Sequence, residues 1–238
     1  MANPLQFDGK VVLIAGSAGG IGEYVAEAFL AAGAHVVICS LIQAQRLPKA
    51  AGRKASFVLM DGSEPDHIIE VVESVKARYG RLDVQVNTAV GPTGDNACAD
   101  PRESVIRRGL VTPLHFSQAA NRLMQKQAEG GSIINVSYLE QPPPPSLQPH
   151  VVEAASTGLA NLGASLAVEW APLVRINTVT LDLTQTEYAS SRGKSRSVAT
   201  PHRPNQENDA FDLPPQIGRT CLFLASSLAS YVSGAHLT

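Results

Sequence analysis

The chain has 238 residues, 44% hydrophobic and 17% charged, which is enough to bury one core of ordinary size in a single α/β domain. A formal net charge of −2 leaves no basic surplus for tracking phosphates, so nucleic acid falls outside the expected partners. Three cysteines, Cys39, Cys98 and Cys221, are odd in number and lack metal-ligand spacing, which argues against a disulfide framework or a structural zinc. The first apolar run ends at glycines after five residues, too short for a leader or a membrane span; a cytoplasmic protein with no metal and no membrane contact is expected.

Short β-branched runs come in order: KVVLIAG ending at Gly16, AHVVICS at Ser40, ASFVLMD at Asp61, LDVQVNT at Thr88, GSIINVS at Ser137 and VRINTVT at Thr180. Each reads as a strand buried on both faces. Stretches of helical spacing between them predict helices near 20–32, 65–79, 102–128 and 151–171. In the second, apolar Ile68, Ile69, Val71, Val72 and Val75 alternate with Glu70, Glu73 and Lys76, which suits a helix lying on a sheet. Pro113 is expected to bend the third helix unless it starts a new turn. The proline run QPPPPSLQP at 141–149 reads as a stiff loop. Six strands joined by right-handed crossovers predict a single-domain Rossmann-type α/β fold, a doubly wound parallel sheet flanked by helices, over 1–238. The polar, proline-broken stretch at about 182–215 leaves the carboxyl end of the sixth strand, where an insertion would cover a ligand site as a flap.

The loop AGSAGGIG links the first strand to the first helix. Gly16, Gly20 and Gly22, with Ser17 and Ile21 among them, stand where the backbone can approach a pyrophosphate and a helix N-terminus can receive its charge. The same glycines serve equally for packing at a strand–helix turn. This Gly-xxx-Gly-x-Gly spacing, QVNTAV at 85–90, GGSIINVSY at 130–138, LAVEWAP at 166–172, VRINTV at 174–179 and the closing CLFLASSLASYVSGAHLT stand in the order of the short-chain dehydrogenase/reductase family, which the chain resembles over nearly its whole length.

The resemblance implies a dinucleotide contacted further by Ser40, Asp61, Asn87 and Thr186, and a small-molecule substrate or ligand. It also implies a homodimer or homotetramer built on the helices at 102–128 and 151–171, or a hetero-oligomer with an active relative. Ser40 replaces the acid that binds a ribose 2′-hydroxyl, so NADP is expected slightly ahead of NAD, with no dinucleotide as the alternative. Family members usually run past the position of Thr238 into a glycine pair.

The family's catalytic positions are changed. Counting back from LAVE, the tyrosine position falls at Val152 and the lysine position at Ser156; the serine position holds Tyr138 and the asparagine position Gly109. Leu181 and Asp182 replace the Pro-Gly that lets the backbone approach the nicotinamide. Valine cannot transfer a proton and serine supplies no cation, so carbonyl reduction by the family mechanism is not expected. The polar groups nearest the vacated positions are Tyr138, His150, Glu153 and Asp182. They suggest proton transfer without hydride transfer, as in an isomerase, lyase, dehydratase or cyclase. Two alternatives stand beside this expectation: a catalytically silent NAD(P)-binding or scaffold subunit, and an NAD(P)-dependent oxidoreductase with a non-standard site.

Overall fold

The computed structural model describes residues 3–16, 20–44, 46–60, 64–88, 101–139, 149–182 and 213–238. In chain order the elements are β1 (Val11–Ala15), α1 (Ile21–Ala31), β2 (His35–Ser40), β3 (Lys49–Ala50), β4 (Arg53–Lys54), β5 (Ser56–Leu59) and α2 (Pro65–Tyr79). Next come β6 (Val84–Thr88), α3 (Pro101–Ile106), a π-helical turn (Arg107–Val111), α4 (Thr112–Met124), β7 (Gly131–Leu139) and α5 (Pro149–Trp170). The chain ends with β8 (Val174–Asp182), α6 (Leu213–Ala225), a 3-10 turn (Ser227–Ala229) and β9 (His236–Leu237).

Seven strands form one sheet in the order β5-β2-β1-β6-β7-β8-β9, and every neighbouring pair is parallel. Side chains alternate across it as the twofold period of a strand requires. Val11, Leu13, Val37, Ile133 and Ile176 pack on one face with Val71, Val75, Phe116 and Trp170. Val12, Ile14, Val36, Ile134 and Val179 pack on the other with Val25, Phe29, Ile217 and Leu224. The doubly wound sheet expected from the strand runs is therefore present.

Local chemistry explains the helices. Pro65 opens α2 with Asp66 in its first turn, Lys76 and Arg78 lie in its last, and Gly80 closes it in the left-handed conformation. Its buried residues, Ile68, Val71, Val72 and Val75, keep the i, i+3, i+4, i+7 spacing of one face. Helix α5 is long and apolar enough by composition to cross a membrane, but its inward residues Leu159, Ala160, Ala167 and Trp170 are buried and the helix packs along β7 and β8. Arg175 closes α6: its guanidinium donates to the carbonyls of Leu224 at 2.7 Å, Val232 at 3.2 Å, and Ala225 and Ser226 at 3.3 Å. Those acceptors engage both terminal nitrogens while burial pushes its pKa down.

Three features differ from the sequence reading. The helix expected over 102–128 is three pieces, because Pro113 has no N–H to give the Gly109 carbonyl and its ring crowds that group. The backbone answers with a π-helical turn, in which Thr112 N–H donates to Arg107 O. The β2–β5 crossover carries the short hairpin β3–β4. A seventh strand, β9, pairs with β8 through Thr178↔His236 and Val179↔Leu237; two residues are too few to show a period.

Candidate functional site

Gly16 follows β1 at φ +144, its N–H donating to Cys39 O at 2.9 Å. A Cβ there would stand 1.8 Å from Thr88 Oγ1 and 2.9 Å from Thr88 O, while the Thr88 hydroxyl itself donates to Ala15 O at 3.1 Å. The end of β6 thus presses against the turn, and only a residue without a side chain fits. Gly20 caps α1 at φ 59 with no side-chain hydrogen bond among the described residues. Among the described residues no acceptor takes the amides of Ile21 and Gly22, the first of α1, which is where a helix N-terminus receives an anion.

At the same carboxyl edge of the sheet Ser40 ends β2 opposite Leu59 of β5, its hydroxyl accepting from Ile42 N–H at 3.3 Å. Leu41, Ile42 and Leu59 are exposed here, a cluster of apolar surface that suits the face of an aromatic base. Charge patterning gives no hint of it, because the three residues lie on two strand ends. Ser17, Asp61 and Thr186, as well as the 141–148 loop and 183–212 of the expected flap, lie outside the described residues.

The Asn87 side chain is buried in a hydrogen-bonded network. Its amide nitrogen reaches Asn135 Oδ1 at 2.8 Å, Ser117 Oγ at 3.0 Å and Pro113 O at 3.2 Å, and its oxygen accepts from Gln85 Nε2 at 2.8 Å. This buried network ties β6 and β7 to α4 just beyond the π-helical turn. Gly109 lies within that turn, where a Cβ would meet Ala155 Cβ of α5 at 3.2 Å. Val152 is half-buried and Ser156 buried on the inward side of α5.

Of the four expected replacement groups, the structure describes the side chains of His150 and Glu153. His150 and Glu153 are exposed in the first turns of α5, since helical spacing that turns Ser156 and Leu159 inward turns these two outward. Tyr138 and Asp182 belong to the paired ends of β7 and β8, where the register sets Leu139 against Asp182. Sequence reasoning missed a different array on the α5 face of the sheet. Ser137 Oγ lies 2.9 Å from Thr180 Oγ1, which lies 2.8 Å from His236 Nε2. Ser137 and Thr180 are buried and His236 is exposed. Two hydroxyls and an imidazole thus join the carboxyl end of β7 to solvent, a chain able to pass a proton.

A family model described as enoyl-(acyl carrier protein) reductase matches residues 15–238. D-threitol dehydrogenase of Mycolicibacterium smegmatis is 28% identical over 98% of this chain and 92% of its own. Sorbose reductase of Schizosaccharomyces pombe is 29% identical over 100% and 96%. A crystal structure of a short chain dehydrogenase from Mycobacterium smegmatis superposes with a TM-score of 0.73 at 25% identity, covering 99% of this chain and 93% of that one. These proteins are named as dehydrogenases and reductases, which overturns the expectation of non-redox chemistry in the cleft. With the matched model, the sheet order and the glycine turn in agreement, the chain belongs to the short-chain dehydrogenase/reductase family.

Proposed function

We propose that this protein is an NAD(P)-dependent oxidoreductase acting on a hydroxyl or carbonyl group of a small molecule, with the family's catalytic positions changed to Gly109, Tyr138, Val152 and Ser156. The observation that carries the reading is the glycine turn: Gly16 pressed on Thr88, followed by α1, whose first amides at Ile21 and Gly22 meet no acceptor among the described residues. A bound nicotinamide dinucleotide would supply or accept the hydride. The amides of Ile21 and Gly22 would hold its pyrophosphate, and Leu41, Ile42 and Leu59 would flank its base. Ser40 presents no carboxylate to repel a 2′-phosphate, which favours NADP over NAD slightly.

Proton handling differs from the family pattern. Val152 gives no proton and Ser156 no cation, a loss of about 10²- to 10⁴-fold in rate where general acid–base catalysis operates. The Ser137–Thr180–His236 chain is the described route that reaches solvent from the strand ends, and it supports slow turnover with the imidazole as proton reservoir. Helix α5 also presents Val168, 82% exposed, beside exposed Ala154 and Ala164, a face suited to a second copy of this chain.

Titration with NADPH and NADH, read by energy transfer from the single Trp170 and by thermal shift, tests the reading. D-threitol and sorbose, which appear in the names of two relatives, form the first turnover panel. Saturable binding with slow dinucleotide oxidation or reduction is expected. No binding of either dinucleotide would overturn it.

A further inference from the structure

At the amino ends of the strands lies a cleft of about 400 Å³ between β2, the β3–β4 hairpin and the end of α2. Its charged lining is one-sided. Arg53, Lys54 and Arg78 face it together with His35, and no carboxylate lines it, in a chain whose net charge is −2. Asp8, outside the lining, meets Arg53 at 3.5 Å with both side chains largely exposed, a pair that neutralises little. Lys54 and Arg78 donate to no acceptor among the described residues.

The wall is organised. The Arg78 guanidinium lies 5.2 Å from the Tyr79 ring centroid, which holds the cation over the ring and leaves its N–H edges free. The Tyr79 ring sits 5.5 Å from that of His35, and its hydroxyl lies 3.3 Å from Ser56 Oγ. Arg53 and Lys54 reach the cleft because the β3–β4 turn takes Ala51 at φ 47 and Gly52 at φ 75, both positive as a two-residue type I′ hairpin requires. A non-glycine residue there carries strain, which persists where the surroundings over-determine the turn. Apolar residues from α1 and β2 make the floor.

Cations held together without acids repel one another, and an anion relieves that repulsion. Guanidinium forks match phosphate oxygens, a lysine adds a point charge, and an apolar floor takes a short carbon skeleton. We propose that this cleft is a second ligand site, specific for a small organic phosphate monoester. It stands apart from the dinucleotide turn: His35 and Ser40 are opposite ends of β2, about 16 Å apart at the usual rise per residue. It does not rest on the oxidoreductase reading.

Calorimetric and thermal-shift titration of the full chain with glycerol 3-phosphate, inorganic phosphate and glycerol tests the proposal. Saturable binding of glycerol 3-phosphate is expected, weakened about tenfold or more in Lys54→Ala and in Arg78→Ala, with no response to glycerol. Both variants alter exposed side chains, and circular dichroism checks their folding. Equal affinity for inorganic phosphate, unchanged binding in the Lys54→Ala/Arg78→Ala double variant, or no saturable response would overturn it.

Discussion

Replacing Gly16 by alanine puts a methyl group where Thr88 already stands. The new Cβ falls 1.8 Å from Thr88 Oγ1 and 2.9 Å from Thr88 O. The hydroxyl can rotate away only by giving up its 3.1 Å bond to Ala15 O, worth about 1 kcal/mol net. The carbonyl is backbone and cannot rotate, and the Gly16 N–H is anchored to Cys39 O at 2.9 Å. A side chain at φ +144 adds about 1–3 kcal/mol of backbone strain. Together these predict a destabilisation of about 2–4 kcal/mol for Gly16→Ala. Urea unfolding followed by emission of Trp170, which is 4% exposed, measures it. In a Thr88→Ala background the cost should drop by about 1 kcal/mol, because the clashing hydroxyl is gone while the strain stays. A cost below about 1 kcal/mol, or an identical cost in both backgrounds, would refute the assignment of this glycine to the Thr88 contact.

Restoring Val152→Tyr and Ser156→Lys together should raise turnover by about 10²- to 10⁴-fold, read as kcat/KM against the unaltered chain; adding Gly109→Asn requires Ala155 to shift, since the Cβ separation there is only 3.2 Å. Thr178 Oγ1 is buried without a partner among the described residues, so Thr178→Val should be neutral or stabilising by about 1 kcal/mol in urea unfolding. Burial pushes the thiols of Cys39 and Cys221 up to about 12, so native protein at pH 8 should protect both from alkylation while urea exposes them, as peptide mapping by mass spectrometry would show. A folded pKa of about 12, above the ordinary thiol value of 9.0, favours the neutral thiols, giving stability that is whole below pH 9 and falls as pH rises towards 12. Stability that rose over this window would contradict it.

The sequence alone determined those parts whose physics is local. A strand buried on both faces is an unbroken β-branched run, so β1, β2, β6, β7 and β8 were legible, and a helix on a sheet carries its own spacing, so α2 was legible to its ends. The glycine turn was legible too, and Pro113 announced the break before α4. The order of the family's motifs was legible along the chain, but not the chemistry of the cleft. Contacts between segments far apart in the chain leave no period to read. Thr88 as the reason for Gly16, the use of Asn87 within a network of β6, β7 and α4, and the Ser137–Thr180–His236 array emerge only when strands 43 to 73 residues apart are laid side by side. The phosphate cleft is the same case: an overall charge of −2 gives no sign of cations that one hairpin turn and one helix end bring to a common wall. Charge, like packing, acts through distance in space, and the fold sets that distance.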